Sequence, residues 1–207
     1  YLLKQHTLGR FMQAIRLNLL KRDLLSMKYN YNPVQTTPFS FNEKVLARLW
    51  RLIWLMFYRP SPWFMYKYRI YLLKLFGANV SLLAKPANSA FIEYPWNLSM
   101  EKYSSIGERA WVYCLDKIRI GQYACIGQEV KLVTGSHNIN STQFEMTTKP
   151  IIIGEGCWLT SDLTVLMGVE IGDYSVIGTK SVVAKSISEN VIAVGSPAKI
   201  IGKRFSS

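Results

Sequence analysis

The sequence predicts a mainly β solenoid of short strands entered through basic helices, and three observations predict it. From Ile153 to Ser188 an aliphatic residue recurs every six positions, at Ile153, Leu159, Val165, Ile171, Ile177 and Val183. Glycine follows directly at Gly154, Gly172 and Gly178. The position four after each aliphatic is mostly small or β-branched, as Cys157, Val169, Ser175 and Ser181, with Leu163 and Ile187 larger. Self-similarity at a fixed period marks a repeat architecture. A period of six is not helical, but it is a multiple of two, so each unit can be a short strand plus a bend that turns one aliphatic residue inward. The small fourth positions suit a narrow, prism-shaped interior.

Taken in order, residues 8–25 carry Leu8, Met12, Ile15 and Leu19 at helical spacing with Arg16, Lys21 and Arg22 off that stripe, which predicts a short basic amphipathic helix. Residues 29–40, with Pro33 and Pro38, read as a linker. A second helix is expected from Asn42, as its cap, to about Tyr58, where Pro60 and Pro62 follow. A third should run from about Trp63 to Phe76, with Gly77 as its stop. Repeats then begin raggedly after Val80. Ile92 and Leu98 share one phase, a two-residue shift gives Met100, Ile106, Val112 and Ile118, and another gives Ile120, Ile126 and Leu132. Such slips belong at bulging corners. Residues 138–152 break the pattern and read as a loop thrown out from one corner, a common place for function. The expected division is 1–79 helical, 80–198 repeats and 199–207 a tail.

The formal charge of +12 is unevenly placed. Residues 1–85 hold 14 Lys and Arg against Asp23 and Glu43, whereas 86–207 balance 11 of each sign. No acidic residue occurs from Lys44 to Ile92, and Trp50, Trp54 and Trp63 stand among the cations. That mixture fits either the headgroup level of an anionic membrane or a cap on the open solenoid end with its cations solvated. The longest apolar run falls short of the ~20 residues of a spanning helix. A neutral repeat region and the absence of a reader motif argue against nucleic acid. Cys114, Cys125 and Cys157 form no C-x-x-C pair, which points to a reducing cytoplasm rather than a disulfide framework.

Units such as Ile171-Gly172-Asp173-Tyr174-Ser175-Val176, and the closing Gly195-Ser196-Pro197-Ala198-Lys199, resemble the hexapeptide-repeat acyltransferases. The run from Ser136-His137-Asn138 through Gly156-Cys157-Trp158-Leu159 is most similar to the sugar O-acetyltransferases of colanic-acid type. The resemblance implies a left-handed parallel β-helix, a homotrimer, acetyl-CoA as co-substrate without a metal, and a sugar acceptor; of a lipid-linked and a nucleotide-linked sugar, the basic helices favour the lipid-linked one, at the inner membrane face. It also implies that His137 is the general base. Imidazole suits the task, since it titrates where it can take a hydroxyl proton during attack. By the same resemblance Ser161 supplies an oxyanion donor through its N–H, Trp158 flanks the pantetheine arm, and Glu145 and Asn138 serve the acceptor. Thr179, Ala184, Lys185 and Lys199 serve the coenzyme, although the family often has a hydroxyl residue at Ala184 and Arg at Lys199. Competing readings are an N-acetyltransferase of an amino sugar or an antibiotic, a non-catalytic scaffold at the membrane, and a metal enzyme on this fold, for which His6 and His137 are too few histidines.

Overall fold

A computed structural model describes residues 28–33 and 39–206. The helix expected over 8–25 lies outside the described residues, as do 34–38 of the expected linker. The described residues fall into two compact units, one of 39–136 with 147–206, the other of 28–33 with 137–146.

The larger unit is a parallel β-helix with three faces. Going once round the coil, the chain lays one short strand on each, so that within the coils strands consecutive in sequence do not pair. The first face stacks Asn79–Val80, Leu98–Met100, Ile118–Ile120, Ile151–Ile153 and Glu170–Ile171. The second stacks Lys85–Pro86, Ser105–Ile106, Cys125–Ile126, Trp158–Leu159, Val176–Ile177 and Val191–Val194. The third stacks Phe91–Glu93, Trp111–Tyr113, Lys131–Val133, Thr164–Leu166 and Val182–Val183. Each strand is two to four residues long, too short to hold itself, and is fixed by the rungs above and below.

Both expected inward sets are buried. Ile153, Leu159, Val165, Ile171, Ile177 and Val183 have at most 1% of their surface exposed. The fourth positions Cys157, Leu163, Val169, Ser175 and Ser181 are also buried, between the strands, whereas Ile187, buried too, bridges Ile171 on the first face only four residues after Val183. Burying an aliphatic side chain contributes roughly 1.5–3 kcal/mol. Ser175 and Ser181 cost nothing there because Ser175 Oγ donates to the Ser188 carbonyl at 2.7 Å and Ser181 Oγ accepts from the Gly195 amide at 3.0 Å.

The register locates every slip at one corner. From the first face to the second the step is always six residues, as in Met100 to Ile106 and Ile153 to Leu159, and so it is from the second to the third. From the third face back to the first it varies: Ile92 to Met100 and Val112 to Ile120 take eight residues, Leu132 to Ile153 takes 21, and Val165 to Ile171 takes six. The two-residue shifts and the long excursion therefore share one vertex.

Glycine is required where rungs pass closest. A Cβ on Gly127 would stand among the Thr160 and Leu159 backbone atoms, its nearest contact the Thr160 carbonyl oxygen, so no side chain fits without moving the next coil.

The open end of the solenoid is covered by helices. Helix α1 (Phe41–Ile53) starts one residue before the expected cap: Ser40 accepts the Glu43 amide through Oγ and the Glu43 carboxylate accepts the Ser40 amide, so the capping box S-x-x-E, not Asn42, sets the start. Its last turn opens into a π-helical stretch, Trp54–Tyr58. Along this one face Trp50 Nε1 donates to the Ile92 carbonyl at 2.6 Å, Trp54 Nε1 to Ala90 at 2.9 Å, and the Tyr58 hydroxyl to Ala87 at 3.2 Å. Three aromatics thus satisfy the carbonyls that the first coil would otherwise leave bare. Helix α2 (Tyr66–Leu75) is shorter than expected at its start and ends before Gly77, whose φ of +87° stops it. It buries Arg69, whose guanidinium donates to the Pro86, Pro62 and Trp63 carbonyls and to Ser61 Oγ. At the other end Lys199–Lys203 forms an antiparallel strand on Val191–Val194. Its side chains are all exposed, which is why no inward period announced it. Among the described residues no helix is long and apolar enough to cross a membrane.

Candidate active site

The smaller unit contains the histidine. Gly135–His137 and Met146–Thr148 form a two-stranded sheet, so the excursion is a hairpin with its tip at 138–145. The expected loop boundary at 152 is corrected by this: Ile151–Ile153 is a full rung paired with Ile118–Ile120.

His137 is exposed and oriented. Its Nδ1 lies 2.8 Å from the Phe144 carbonyl oxygen. A carbonyl can only accept, so Nδ1 carries the proton and Nε2 of the neutral ring keeps a free lone pair. The imidazole also stacks on the Phe144 ring, centroids 4.4 Å apart and 2° from parallel. Phe144 was not among the candidates. A backbone carbonyl leaves no mark in a sequence, and the one signal was an aromatic beside Glu145 at hairpin distance from His137.

Asn138 and Glu145 are brought together next to it. The Asn138 amide donates to the Glu145 carbonyl at 2.9 Å, and its Nδ2 to Glu145 Oε1 at 2.7 Å. Glu145 Oε2 is enclosed and takes no hydrogen-bond partner among the described residues. The nearby Ser141 hydroxyl, the residue's own amide and the Asn138 side chain, in that order, hold the carboxyl below the ordinary carboxylate value. The pair is therefore an ionised acceptor and an amide locked side by side. Tyr31 packs edge-on to Phe144 at 6.5 Å, and the Asn32 amide donates to the Thr142 carbonyl at 3.0 Å, contacts that the linker reading of this segment did not foresee.

The remaining candidates lie on the solenoid, on its second face, at two of its corners and on the terminal strand. Trp158 projects outward from the second face, 49% exposed, and packs against no aromatic ring among the described residues. Ser161 sits at the corner that follows. Its carbonyl accepts the Lys180 amide at 3.4 Å, while its own N–H has no partner among the described residues. Thr179 occupies the same corner one coil on, its hydroxyl 3.1 Å from that of Thr160. Ala184 and Lys185 are exposed at the variable vertex, just after Val182–Val183, and Lys199 is exposed at the start of the last strand. Neither lysine forms an ion pair among the described residues. The exposed indole, the unpartnered Ser161 N–H and the two ammonium groups are of the types that a long, phosphorylated thioester would engage. Among the described residues no group of three or more His, Cys, Asp or Glu could hold a metal ion.

No family model matches the chain. It is 38% identical over 166 residues to WcaF of Escherichia coli (strain K12), by name a colanic acid biosynthesis acetyltransferase, and the match spans 80% of this chain and 91% of that one. The chain belongs to the hexapeptide-repeat acetyltransferases. This acetyltransferase is also 38% identical over 87 residues to the galactoside O-acetyltransferase of E. coli, covering 41% and 43% of the two chains. Among solved structures it superposes on the hexapeptide-repeat acetyltransferase of Vibrio cholerae complexed with acetyl-CoA with a TM-score of 0.72, covering 83% and 94% at 22% identity. A galactoside acetyltransferase in complex with CoA gives 0.71, covering 82% and 86% at 24% identity. These superpositions establish the parallel β-helix of this acetyltransferase.

Proposed function

We propose that this acetyltransferase moves an acetyl group from acetyl-CoA to a sugar hydroxyl during assembly of a bacterial exopolysaccharide or surface glycan. The observation that carries the reading is the tethered histidine, with Nδ1–H held by the Phe144 carbonyl and Nε2 left to accept a proton. In the proposed step His137 Nε2 takes the proton of the acceptor hydroxyl as its oxygen bonds to the thioester carbonyl carbon. The carbon–sulfur bond then breaks, and the proton passes to the departing sulfur. No acyl-enzyme forms. The unpartnered Ser161 N–H is assigned to the oxyanion, a role in which a fixed donor is worth ~10²–10³-fold. Asn138 and the ionised Glu145 are assigned to acceptor hydroxyls. Trp158, Thr179, Ala184, Lys185 and Lys199 are assigned to the coenzyme.

The reading includes a left-handed coil and a homotrimer whose subunits share each cleft, because the solenoid candidates lie at different corners of one protomer. It also includes the assignment of 1–79 to capping and contact with an anionic membrane, 80–198 to chemistry and 199–207 to a closing tail. The name of WcaF supports the surface-glycan context, and the basic N-terminal region supports a lipid-linked acceptor at the inner membrane face. The test is an acceptor screen with radiolabelled acetyl-CoA: label should enter hydroxyl sugars, and His137→Ala should abolish most of it. Label entering only amino sugars would replace the O-acetyl reading with an N-acetyl one.

A further inference from the structure

Helix α1 and the π-helical stretch that continues it bury one face on the first coil and leave the other divided. Phe41, Val45, Leu49, Leu52 and Met56 form a continuous apolar ridge, each between 46% and 80% exposed. Lys44, Arg48, Arg51 and Arg59 run beside it on one flank, and none forms an ion pair among the described residues. Arg51 and Arg59 lie over the Phe91 and Trp54 rings, at 5.8 and 5.5 Å, and border a cavity of about 350 Å³ completed by Ser89 and Arg109. An aromatic-floored cavity rimmed by guanidinium groups suits a phosphate. A ridge about 20 Å long at 1.5 Å per residue is a contiguous exposed apolar surface of the kind that marks a protein or membrane contact.

We infer that α1 docks flat on an anionic phospholipid bilayer, with the ridge in the acyl boundary and the flanking cations on lipid phosphates. This rests on the membrane-face reading above and names its surface. Charge decides between a bilayer and a second copy: no acidic residue occurs from Lys44 to Ile92, so two copies turning this face to each other would oppose cation to cation. An interfacial helix needs this division into apolar and basic flanks, and anionic lipid supplies the opposite charge.

The experiment is co-sedimentation of the full chain with vesicles of phosphatidylcholine alone or with phosphatidylglycerol added, at low and high salt, with light scattering of the same samples. The chain should bind the anionic vesicles and release at high salt. Lys44→Gln and Arg48→Gln should each weaken binding about fivefold, equivalent to ~1 kcal/mol per cation at an anionic surface. Leu49→Ser with Leu52→Ser should weaken it about tenfold or more while acetyl-CoA binding, the check on folding, is kept. Equal binding to phosphatidylcholine would overturn the proposal. So would ridge variants that keep vesicle binding but lower the mass of the assembly, since the ridge would then cover another copy. Vesicle binding that persists in a chain with no acetyl transfer to any sugar would uphold the docking and sink the catalytic reading alone.

Discussion

Replacing Gly127 with Ala adds one methyl group and should cost both stability and turnover. The new Cβ would meet the Thr160 carbonyl oxygen and carbon and the Leu159 oxygen, all backbone. The Gly127 amide already donates to that Leu159 oxygen at 2.7 Å, so the rungs cannot separate without stretching a ladder bond. Overpacking of this kind costs about 1–3 kcal/mol. At about 2–4 °C per kcal/mol for a chain of this size, the midpoint should fall by roughly 2–12 °C. The peptide that must move leads directly into Ser161. If its N–H receives the oxyanion, kcat should drop by tenfold or more well below the midpoint, since a 1 Å misplacement can cost ~10²-fold. The assay is thermal unfolding by circular dichroism at fixed protein concentration, beside initial rates at 20 °C. Gly202→Ala is the control, for nothing lies within 4 Å of its added Cβ. Identical midpoints for the two variants would refute the close-approach argument, and an unchanged kcat in Gly127→Ala would refute the role of the Thr160–Ser161 peptide.

Other expectations can be checked separately. His137→Ala should lower kcat by ~10²–10⁴-fold with little change in the acetyl-CoA KM, measured by thiol release. Lys199→Gln should raise the KM for acetyl-CoA more than it lowers kcat. Arg69→Met should destabilise the chain by about 3 kcal/mol or more in urea denaturation, because it strips donors from three carbonyls and from Ser61 Oγ inside the cap. Burial pushes the Cys157 thiol up to about 11 and raises Cys114 well above its ordinary value. A raised value means less thiolate at neutral pH, so a disulfide reagent at pH 8 should modify only the exposed Cys125 until denaturant releases the other two.

The inward positions of the solenoid were legible because one rule, an aliphatic residue every sixth place, is written directly in side chains. The slips at Met100 and Ile120 were legible as slips. Their common vertex was not, since it depends on which rung lies over which. Trp50 and Trp54 were read as aromatics among cations, fit for a membrane surface or a cap, whereas the capping bonds made by their indole N–H groups and by the Tyr58 hydroxyl were not legible. The terminal strand Lys199–Lys203 was read as a tail because it pairs through its backbone and turns nothing inward. At the site, His137 and its neighbours Asn138 and Glu145 were found by resemblance, but the clamp on the imidazole is a main-chain oxygen of Phe144, which no residue type encodes.

The single vertex at which coil length changes has an evolutionary consequence. Chain can be added, removed or exchanged there without altering which rungs stack, because the other two steps stay at six residues. A lineage could therefore rewrite the hairpin that bears His137, and with it, on the proposed reading, the sugar recognised, while the rungs assigned to the coenzyme remain untouched.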